Sequence, residues 1–323
     1  MKRRNFICFL GSAAVLPFSA RGQPTARIPR LGILLYSNPK ADPNMETLRS
    51  ALRDLGYIDG QNVSFEYRYA EGRPERLPDL AADLVKLKPD VLFAAGGDVA
   101  PFASKATQTI PIVFVMSADP VQLGLVASHA RPGGNATGFT FLQDELAAKR
   151  LELLKEAAPH ISRVAFLWNP DHPDNEPREA QRAAAALGVQ LRSMEVRGPG
   201  DLDSAFQAAT LGGVDALYVV SSRQTVANIP RIVEFAIKNK LPLAGGWGAW
   251  AHAGGLLSYG PNVSKIMRQA AAYVDKTLKG TKPAELPVQQ PTNFELVINA
   301  RTAKALGLTM PPTLLTFATE VID

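Results

Sequence analysis

The chain alternates short, almost purely apolar runs with longer amphipathic stretches from residue 31 onward. The run at residues 31–36 is followed by Met45, Leu48 and Leu52, whose three- and four-residue spacing is that of an α-helix buried on one face. Unbroken apolar runs are typical of parallel strands covered by helices on both faces, because neither side of such a strand meets water. The pattern therefore predicts an α/β protein with parallel sheets.

This alternation occurs twice along the chain. The apolar runs of the two sets lie at residues 31–36, 62–67, 91–94 and 112–115, and then at 164–168, 189–196, 216–220 and 242–244. A chain of 323 residues exceeds what one hydrophobic core usually organises. We therefore expect two similar lobes, with residues 28–138 plus 260–287 in the first and residues 139–259 plus 288–323 in the second.

The first 22 residues have the composition of an export signal. A basic cluster at residues 2–4 precedes an apolar run at residues 8–18, and small residues follow at the expected cleavage site. The paired arginines resemble a twin-arginine address, which exports folded proteins. Because the apolar run is about half of the roughly 20 residues that span a bilayer, we expect a cleaved leader and a periplasmic mature protein. Cleavage is expected after Ala20 or Gly22.

Most of the formal net charge of +5 belongs to this leader. Residues 2–4 and Arg21 supply four positive charges and the leader has no acidic residue, so the mature chain carries +1. A near-neutral chain without a run of five like charges has no electrostatic basis for binding nucleic acid or a membrane surface. Cleavage also removes Cys8, the single cysteine, so we expect neither a disulfide nor a thiolate metal site.

Catalytic residue types do not occur at catalytic spacings. None of the four histidines has a second histidine at the spacing of a zinc helix, and each is expected at the surface or in packing. The polar cluster at residues 171–176 lacks the glycine of a calcium loop, and we expect it to be a solvated loop. The glycines at residues 133–138 do not join a strand to a helix, and no nucleophile elbow or P-loop occurs. We therefore expect no enzyme active site, no metal and no cofactor.

Polar, glycine and aromatic residues instead follow the predicted strands at their carboxyl ends, where open α/β sheets bind ligands. Glycines let backbone amides approach a ligand, hydroxyls and amides form hydrogen bonds, and tryptophans cover an apolar face. The candidate ligand-binding residues are Asn38, Gly96, Gly97, Asp98, Ser117, Asp119, Trp168, Asn169, Ser221, Ser222, Gly246, Trp247 and Tyr259.

The candidate residues have different expected roles. Asp98 or Asp119 is expected to pair with an amino group of the ligand. Backbone amides near residues 96–97 or 245–246 are expected to receive a carboxylate, and Trp168 or Trp247 to stack on an apolar side chain. Each residue alone also fits a plain role in ending a strand or capping a helix.

Five segments resemble the periplasmic substrate-binding proteins of ABC uptake transporters, in the group with tryptophan- and aromatic-amino-acid-binding members. They lie at residues 110–115, 119–121, 130–138, 294–299 and 302–308. The resemblance implies a type I periplasmic-binding fold, with two Rossmann-like lobes and a ligand cleft between them. Three crossing segments join the lobes in such a fold, and they are expected near residues 136–141, 257–260 and 287–291.

The resemblance also implies a function. A monomer would capture a small organic solute, an amino acid or an aromatic compound, by hinge closure and deliver it to an ABC permease in the inner membrane. Two other functions stay open, because bind-and-close motion also serves ligand-sensing modules of membrane receptors, and two-lobed α/β architectures also host enzymes. The missing acid–base pair disfavours an exported enzyme.

Overall fold

A computed structural model describes residues 27–37, 43–96, 99–141, 143–172, 175–198 and 200–323. The predicted leader and the candidate site residues Asn38, Gly97 and Asp98 lie outside these ranges. Two sheets with mostly parallel strands form the described chain, and buried clusters lie on both faces of each sheet. The predicted α/β class is therefore confirmed.

Lobe 1 is built on a five-stranded parallel sheet with the order β2-β1-β3-β4-β5. Its strands are β1 (Arg30–Leu35), β2 (Ser64–Tyr69), β3 (Val91–Ala95), β4 (Ile112–Met116) and β5 (Ala136–Thr140). Its helices are α1 (Pro43–Asp54), a 3-10 turn at Pro74–Arg76, α2 (Leu77–Lys86), α3 (Val99–Ala106) and the later α10 (Val263–Leu278).

Lobe 2 is built on a seven-stranded sheet with the order β12-β11-β10-β9-β8-β6-β7. Its strands are β6 (Arg163–Trp168), β7 (Gln190–Glu195), β8 (Ala216–Val219), β9 (Leu243–Gly245), β10 (Leu257–Pro261), β11 (Phe294–Asn299) and β12 (Glu320–Ile322). Its helices are α4 (Gln143–Ala157), α5 (Glu176–Ala186), α6 (Asp201–Leu211), α7 (Arg223–Ala227), α8 (Ile229–Lys238), α9 (Gly248–His252), α11 (Ala300–Ala305) and α12 (Pro312–Phe317). The β10–β11 pairing is antiparallel and the other pairings are parallel.

The long helix α10 returns the chain from lobe 2 to lobe 1. Asn262 caps it as predicted, because its side chain accepts a hydrogen bond from the Lys265 amide at 2.7 Å. The apolar stripe of α10, with Ile266, Met267 and Ala270, packs in the same core as β1 and β3. The sequence after α10 then passes a 3-10 turn at Pro283–Glu285 and enters lobe 2 again at β11.

The structure differs from the sequence prediction at the first crossing. Residues 136–140 form β5 beside β4, and the crossing follows them. A Cβ atom on Gly138 would lie 2.0 Å from the Phe114 carbonyl oxygen, so the close approach of the two strands requires glycine. We keep the predicted division into lobes as a proposal, with residues 139–141 and 288–289 moved to lobe 1 and residues 260–261 to lobe 2. Phe141 and Val288 pack in the buried cores of lobe 1, and Gln289 pairs with Phe139 of β5.

A buried ionic network joins four elements of lobe 2. Arg150 of α4 and Glu176 of α5 form an ion pair in which both side chains are fully buried. Arg150 also donates hydrogen bonds to the Tyr218 hydroxyl of β8 at 2.8 Å and to the Tyr259 carbonyl of β10 at 3.0 Å. The prediction of a solvated loop at residues 171–176 is therefore wrong for Glu176. Desolvation of a carboxylate is offset here by its buried cationic partner.

Burial raises the pKa of the Tyr218 hydroxyl well above its ordinary value. This hydroxyl is therefore protonated, and it donates to Glu176 at 2.9 Å.

Among the described helices, none combines the length and apolar character that a membrane span requires.

Candidate functional site

Side chains at the carboxyl ends of strands make direct contacts between the two lobes. We call this set the interlobe cluster. Lobe 1 contributes Tyr36, Ser117 and Phe141, and lobe 2 contributes His172, Arg223, Gln224 and Trp247. The predicted ligand region at the carboxyl edge of the sheets is thus the place where the lobes meet.

Tyr36 is held by both lobes. It directly follows β1, and its hydroxyl donates to the Gly72 carbonyl within lobe 1. The side-chain amide of Gln224 in lobe 2 donates to the same hydroxyl, with Nε2 and Oη 2.7 Å apart. The guanidinium of Arg223 lies over the ring, 4.6 Å from the ring centroid, which is a cation–π distance. Two consecutive residues of α7 therefore contact one aromatic side chain of the opposite lobe, one by a hydrogen bond and the other by a cation–π interaction.

The start of α7 is fixed by Ser221 and Ser222, two of the predicted site residues. Ser222 is the N-cap, and its side chain and that of Thr225 form a reciprocal capping box. Ser221 accepts a hydrogen bond from the Trp250 indole at 3.1 Å. Both serines are buried within lobe 2. They position Arg223 and Gln224 toward lobe 1.

Ser117 and His172 form the second polar contact between the lobes. Ser117 Oγ and His172 Nε2 are 2.9 Å apart, and both side chains are buried. Asn169 shapes the turn that carries the histidine: its side chain accepts from the Asp171 amide at 2.9 Å and its carbonyl accepts from the His172 amide at 3.0 Å. Of the two expected places for His172, the surface or a packed position, the structure shows the second, and the packing partner lies in the opposite lobe.

Phe141 and Trp247 form the aromatic contact of the cluster. Their ring centroids are 5.4 Å apart and the rings are inclined by 58°. Trp247 packs against buried cores of both lobes. Its indole nitrogen Nε1 is buried and has no hydrogen-bond partner within the described chain.

Three other predicted site residues make their contacts inside their own lobe. The Asp119 carboxylate accepts from the Val121 amide at 2.8 Å and lies 3.3 Å from His129 Nε2. Trp168 donates its indole N–H to Ser193 Oγ of the edge strand β7 at 2.8 Å. The carbonyl of Tyr259 accepts from Arg150, as described above.

The described glycines of the predicted set shape the backbone near the cluster. Gly96 has a φ of +106°, a conformation that side chains rarely adopt, and it lies beside Tyr36. The Gly246 carbonyl oxygen lies so close to β10 that a Cβ atom on Gly260 would be 1.7 Å from it.

The structure brings two of the predicted residues, Ser117 and Trp247, into the interlobe cluster, with Asn169, Ser221 and Ser222 supporting it. The sequence prediction missed the other five members: Tyr36, Phe141, His172, Arg223 and Gln224. Tyr36 lies two residues before the predicted Asn38, and Arg223 and Gln224 directly follow the predicted Ser222, so including two residues on either side of each predicted position would have found them.

Within the described ranges, no group of three His, Cys, Asp or Glu side chains is arranged to hold a metal ion. A surface cavity of about 540 Å³ lies between the end of α8, α9 and α11. None of its lining residues belongs to the interlobe cluster.

Comparisons with known proteins identify similar sequences. A family model described as ABC transporter substrate binding protein matches residues 33–322. A tyrosine-binding protein of Clostridioides difficile (strain R20291) is 27% identical over 277 residues, which cover 85% of this chain and 79% of that protein.

Two solved structures allow a comparison of shape. An ABC domain from Streptococcus pneumonia in complex with L-Trp is 24% identical, covers 91% of this chain and 99% of its own, and has a TM-score of 0.82. The ligand-free, open structure of a substrate-binding protein with adhesive properties from Clostridium difficile is also 24% identical, covers 92% and 100%, and has a TM-score of 0.64. The predicted type I periplasmic-binding fold with two lobes is confirmed.

Proposed function

We propose that this chain, which belongs to the family of ABC transporter substrate-binding proteins, captures an aromatic amino acid between its lobes and holds it by closing them. The observation that carries the proposal is the interlobe cluster, in which aromatic and hydrogen-bonding side chains of both lobes meet. The names of two similar proteins, one tyrosine-binding and one solved with L-Trp, support the class of solute.

The shape of the chain supports a closed arrangement. At equal sequence identity, its TM-score is higher against the structure with L-Trp than against the ligand-free, open structure. Contacts such as that between Ser117 and His172 exist only while the lobes are together. A solute that touches both lobes favours this state over the open one through its differential affinity.

The chemistry of the cluster is sufficient for such binding. Micromolar affinity corresponds to about −8 kcal/mol, which an aromatic face and a few charge-assisted hydrogen bonds can supply. The direct contacts between the lobes are worth about 1 kcal/mol each. They favour the closed state over the open state, but most of the binding free energy has to come from contacts with the solute.

Specific ligand contacts follow from the cluster. Phe141 and Trp247 provide aromatic surface, and Arg223 provides a positive charge for the solute carboxylate. The predicted contacts at Asn38, Gly97 and Asp98, and the expected stacking on Trp168, stay predictions.

We further propose that the mature protein is a periplasmic monomer that delivers its solute to an ABC permease of the inner membrane. The family membership and the export signal predicted for the first 22 residues support this role. A ligand-sensing module would use the same closure. Genes for a permease and an ATPase next to this one would favour transport.

One observation keeps the enzyme alternative testable. A serine in contact with a histidine is also the geometry of a nucleophile and its base, and Ser117 and His172 have it. We propose that this pair joins the lobes and does not turn over the solute. Recovery of the solute chemically unchanged after overnight incubation would agree with binding, and any product would support the enzyme.

The decisive experiment is a calorimetric screen of the mature protein. We expect L-tyrosine or L-tryptophan to bind with micromolar affinity, and small-angle scattering to show a smaller radius of gyration with the solute present. Mass spectrometry of copurified small molecules identifies a solute outside the screen. Binding of a sugar with no response to any aromatic amino acid would contradict the proposed solute class.

A further inference from the structure

The chain has three tryptophans, and their indole N–H groups differ in how they are satisfied. Trp168 donates to Ser193 Oγ at 2.8 Å and Trp250 donates to Ser221 Oγ at 3.1 Å. The Nε1 of Trp247 is buried and has no partner within the described chain. Buried polar atoms without a partner are rare in proteins, so this one needs an explanation.

The position of Trp247 points to the solute as that partner. The residue follows β9, packs against the cores of both lobes and contacts Phe141 across the cleft. Its indole nitrogen is therefore buried at the place where the two lobes meet. A phenylalanine would form the same aromatic wall without burying a donor.

The chemistry of the indole and of its neighbours defines the class of partner. An indole N–H is only a donor, so the partner must be a hydrogen-bond acceptor. The interlobe cluster contains the cation Arg223 and no carboxylate, and it is therefore complementary to a negatively charged or carbonyl oxygen.

We propose that Trp247 donates its indole N–H to an oxygen atom of the bound solute and thereby selects solutes that carry an oxygen acceptor at this position. The inference rests on the proposed function and goes beyond it. Trp247 is a hydrogen-bonding specificity residue as well as part of an aromatic wall.

Nitrogen-15 NMR of the mature protein tests this directly, because the three tryptophans give three indole signals. The Trp247→Phe variant identifies the Trp247 signal by its loss. On saturation with L-tyrosine, we expect the Trp247 indole proton to move downfield and to exchange more slowly with water. The Trp168 and Trp250 signals are internal controls, because their N–H groups already have acceptors.

Two further probes identify the acceptor. L-phenylalanine lacks the phenol oxygen of L-tyrosine, and tyramine lacks its carboxylate. We expect the downfield shift to disappear with one of these probes at saturation and to persist with the other. A shift that persists unchanged with both would overturn the proposal, because neither the phenol oxygen nor the carboxylate would then be required for it.

Affinity supplies an independent readout. Trp247→Phe is expected to weaken L-tyrosine binding about tenfold. The control variant Tyr57→Phe removes an aromatic hydrogen-bond donor that is satisfied by Asp275 inside lobe 1, outside the interlobe cluster, and it should change the affinity less than about twofold. Equal affinities for Trp247→Phe and the unmodified protein would contradict the inference.

The failure of this inference differs from that of the proposed function. If L-tyrosine and L-tryptophan both fail to bind, the proposed function fails and the inference fails with it. If L-tyrosine binds while the Trp247 signal stays unchanged, the proposed function stands and Trp247 is only a wall of the cleft.

Discussion

The two lobes share a parallel βα architecture but bury different polar groups. Lobe 2 encloses the ion pair of Arg150 and Glu176 together with the Tyr218 hydroxyl. In the described part of lobe 1, the buried polar side chains are serine and threonine hydroxyls: Thr107, Ser117, Thr137, Thr140 and Thr277. Two lobes of similar architecture therefore differ in their buried polar groups, which are neutral hydroxyls in lobe 1 and include an ionic network in lobe 2.

The difference extends to the cleft. Lobe 1 presents the rings of Tyr36 and Phe141 and one serine hydroxyl. Lobe 2 presents groups that carry nitrogen, including the guanidinium of Arg223 and the amide of Gln224. The contacts between the closed lobes are thus chemically asymmetric, because lobe 2 supplies the guanidinium and the amide donor while lobe 1 supplies the aromatic ring and its hydroxyl.

The largest effect is expected from breaking the ionic network of lobe 2. Glu176→Gln leaves the buried charge of Arg150 uncompensated and should lower the free energy of unfolding by about 3–5 kcal/mol. Urea denaturation measures this change. As a matched control, Glu179→Gln breaks the exposed pair of Glu179 with Arg182 and should cost less than about 1 kcal/mol.

A loss below about 1 kcal/mol for Glu176→Gln would contradict the importance of the network. Replacing the pair as a whole sharpens the comparison of the lobes. Arg150→Met combined with Glu176→Leu should be less harmful than Glu176→Gln alone, because no unpaired charge is left buried.

The loss of stability on replacing a closely packed glycine by alanine should be similar in the two lobes. A Cβ atom on Gly138 of lobe 1 would lie 2.0 Å from a backbone oxygen, and one on Gly260 of lobe 2 would lie 1.7 Å from another. Gly138→Ala and Gly260→Ala should each destabilise the protein by about 1–3 kcal/mol or more in thermal unfolding. Gly134→Ala is the control, because no atom lies within 4 Å of the Cβ position there. Stability unchanged in one of the two variants would show that its strands can separate at low cost.

A smaller effect is expected from the hydrogen bond between Gln224 of α7 and Tyr36 of lobe 1. Tyr36→Phe and Gln224→Ala each remove the hydrogen bond between these side chains. In a double-mutant cycle on solute affinity, the two changes should be coupled by about 0.5–1.5 kcal/mol. The Tyr36→Phe change also removes the hydrogen bond from Tyr36 to the Gly72 carbonyl. This loss cancels in the coupling energy, because it occurs both with and without the Gln224 side chain. Additive losses would mean that the contact between the lobes does not contribute to the closed, solute-bound state.

The smallest expected effect is a dependence on alkaline pH that involves lobe 1. Burial, followed by the hydrogen bond to Asp275, raises the pKa of Tyr57 to about 12. The unfolded chain has a tyrosine pKa of about 10, so the stabilisation is present below about pH 10 and is lost as the pH rises toward about 12. Melting temperatures measured across this range should fall less steeply in Tyr57→Phe. Parallel slopes for the variant and the unmodified protein would exclude this contribution.

The candidate site could be predicted from the sequence only as a region. Strand ends followed by polar residues located the carboxyl edge of both sheets, and Ser117 and Trp247 were among the residues named. Trp168 and Trp247 look alike in sequence, since each lies where a strand ends. One bonds to Ser193 of its own sheet and the other packs against Phe141 of the opposite lobe. Nothing in the local pattern distinguishes these two environments.

The amino-acid sequence by itself determined the α/β class, the existence of two βα sets and the cap of α10 at Asn262, because periodicity and capping are properties of neighbouring residues. Only the tertiary structure decided that residues 136–140 form a strand, that Glu176 is buried and that Gln224 reaches Tyr36 from 188 positions away. These outcomes depend on which surfaces come together when the sheets and lobes pack. Local periodicity reports that a face is buried, but the partner that buries it is chosen by the packing of distant segments.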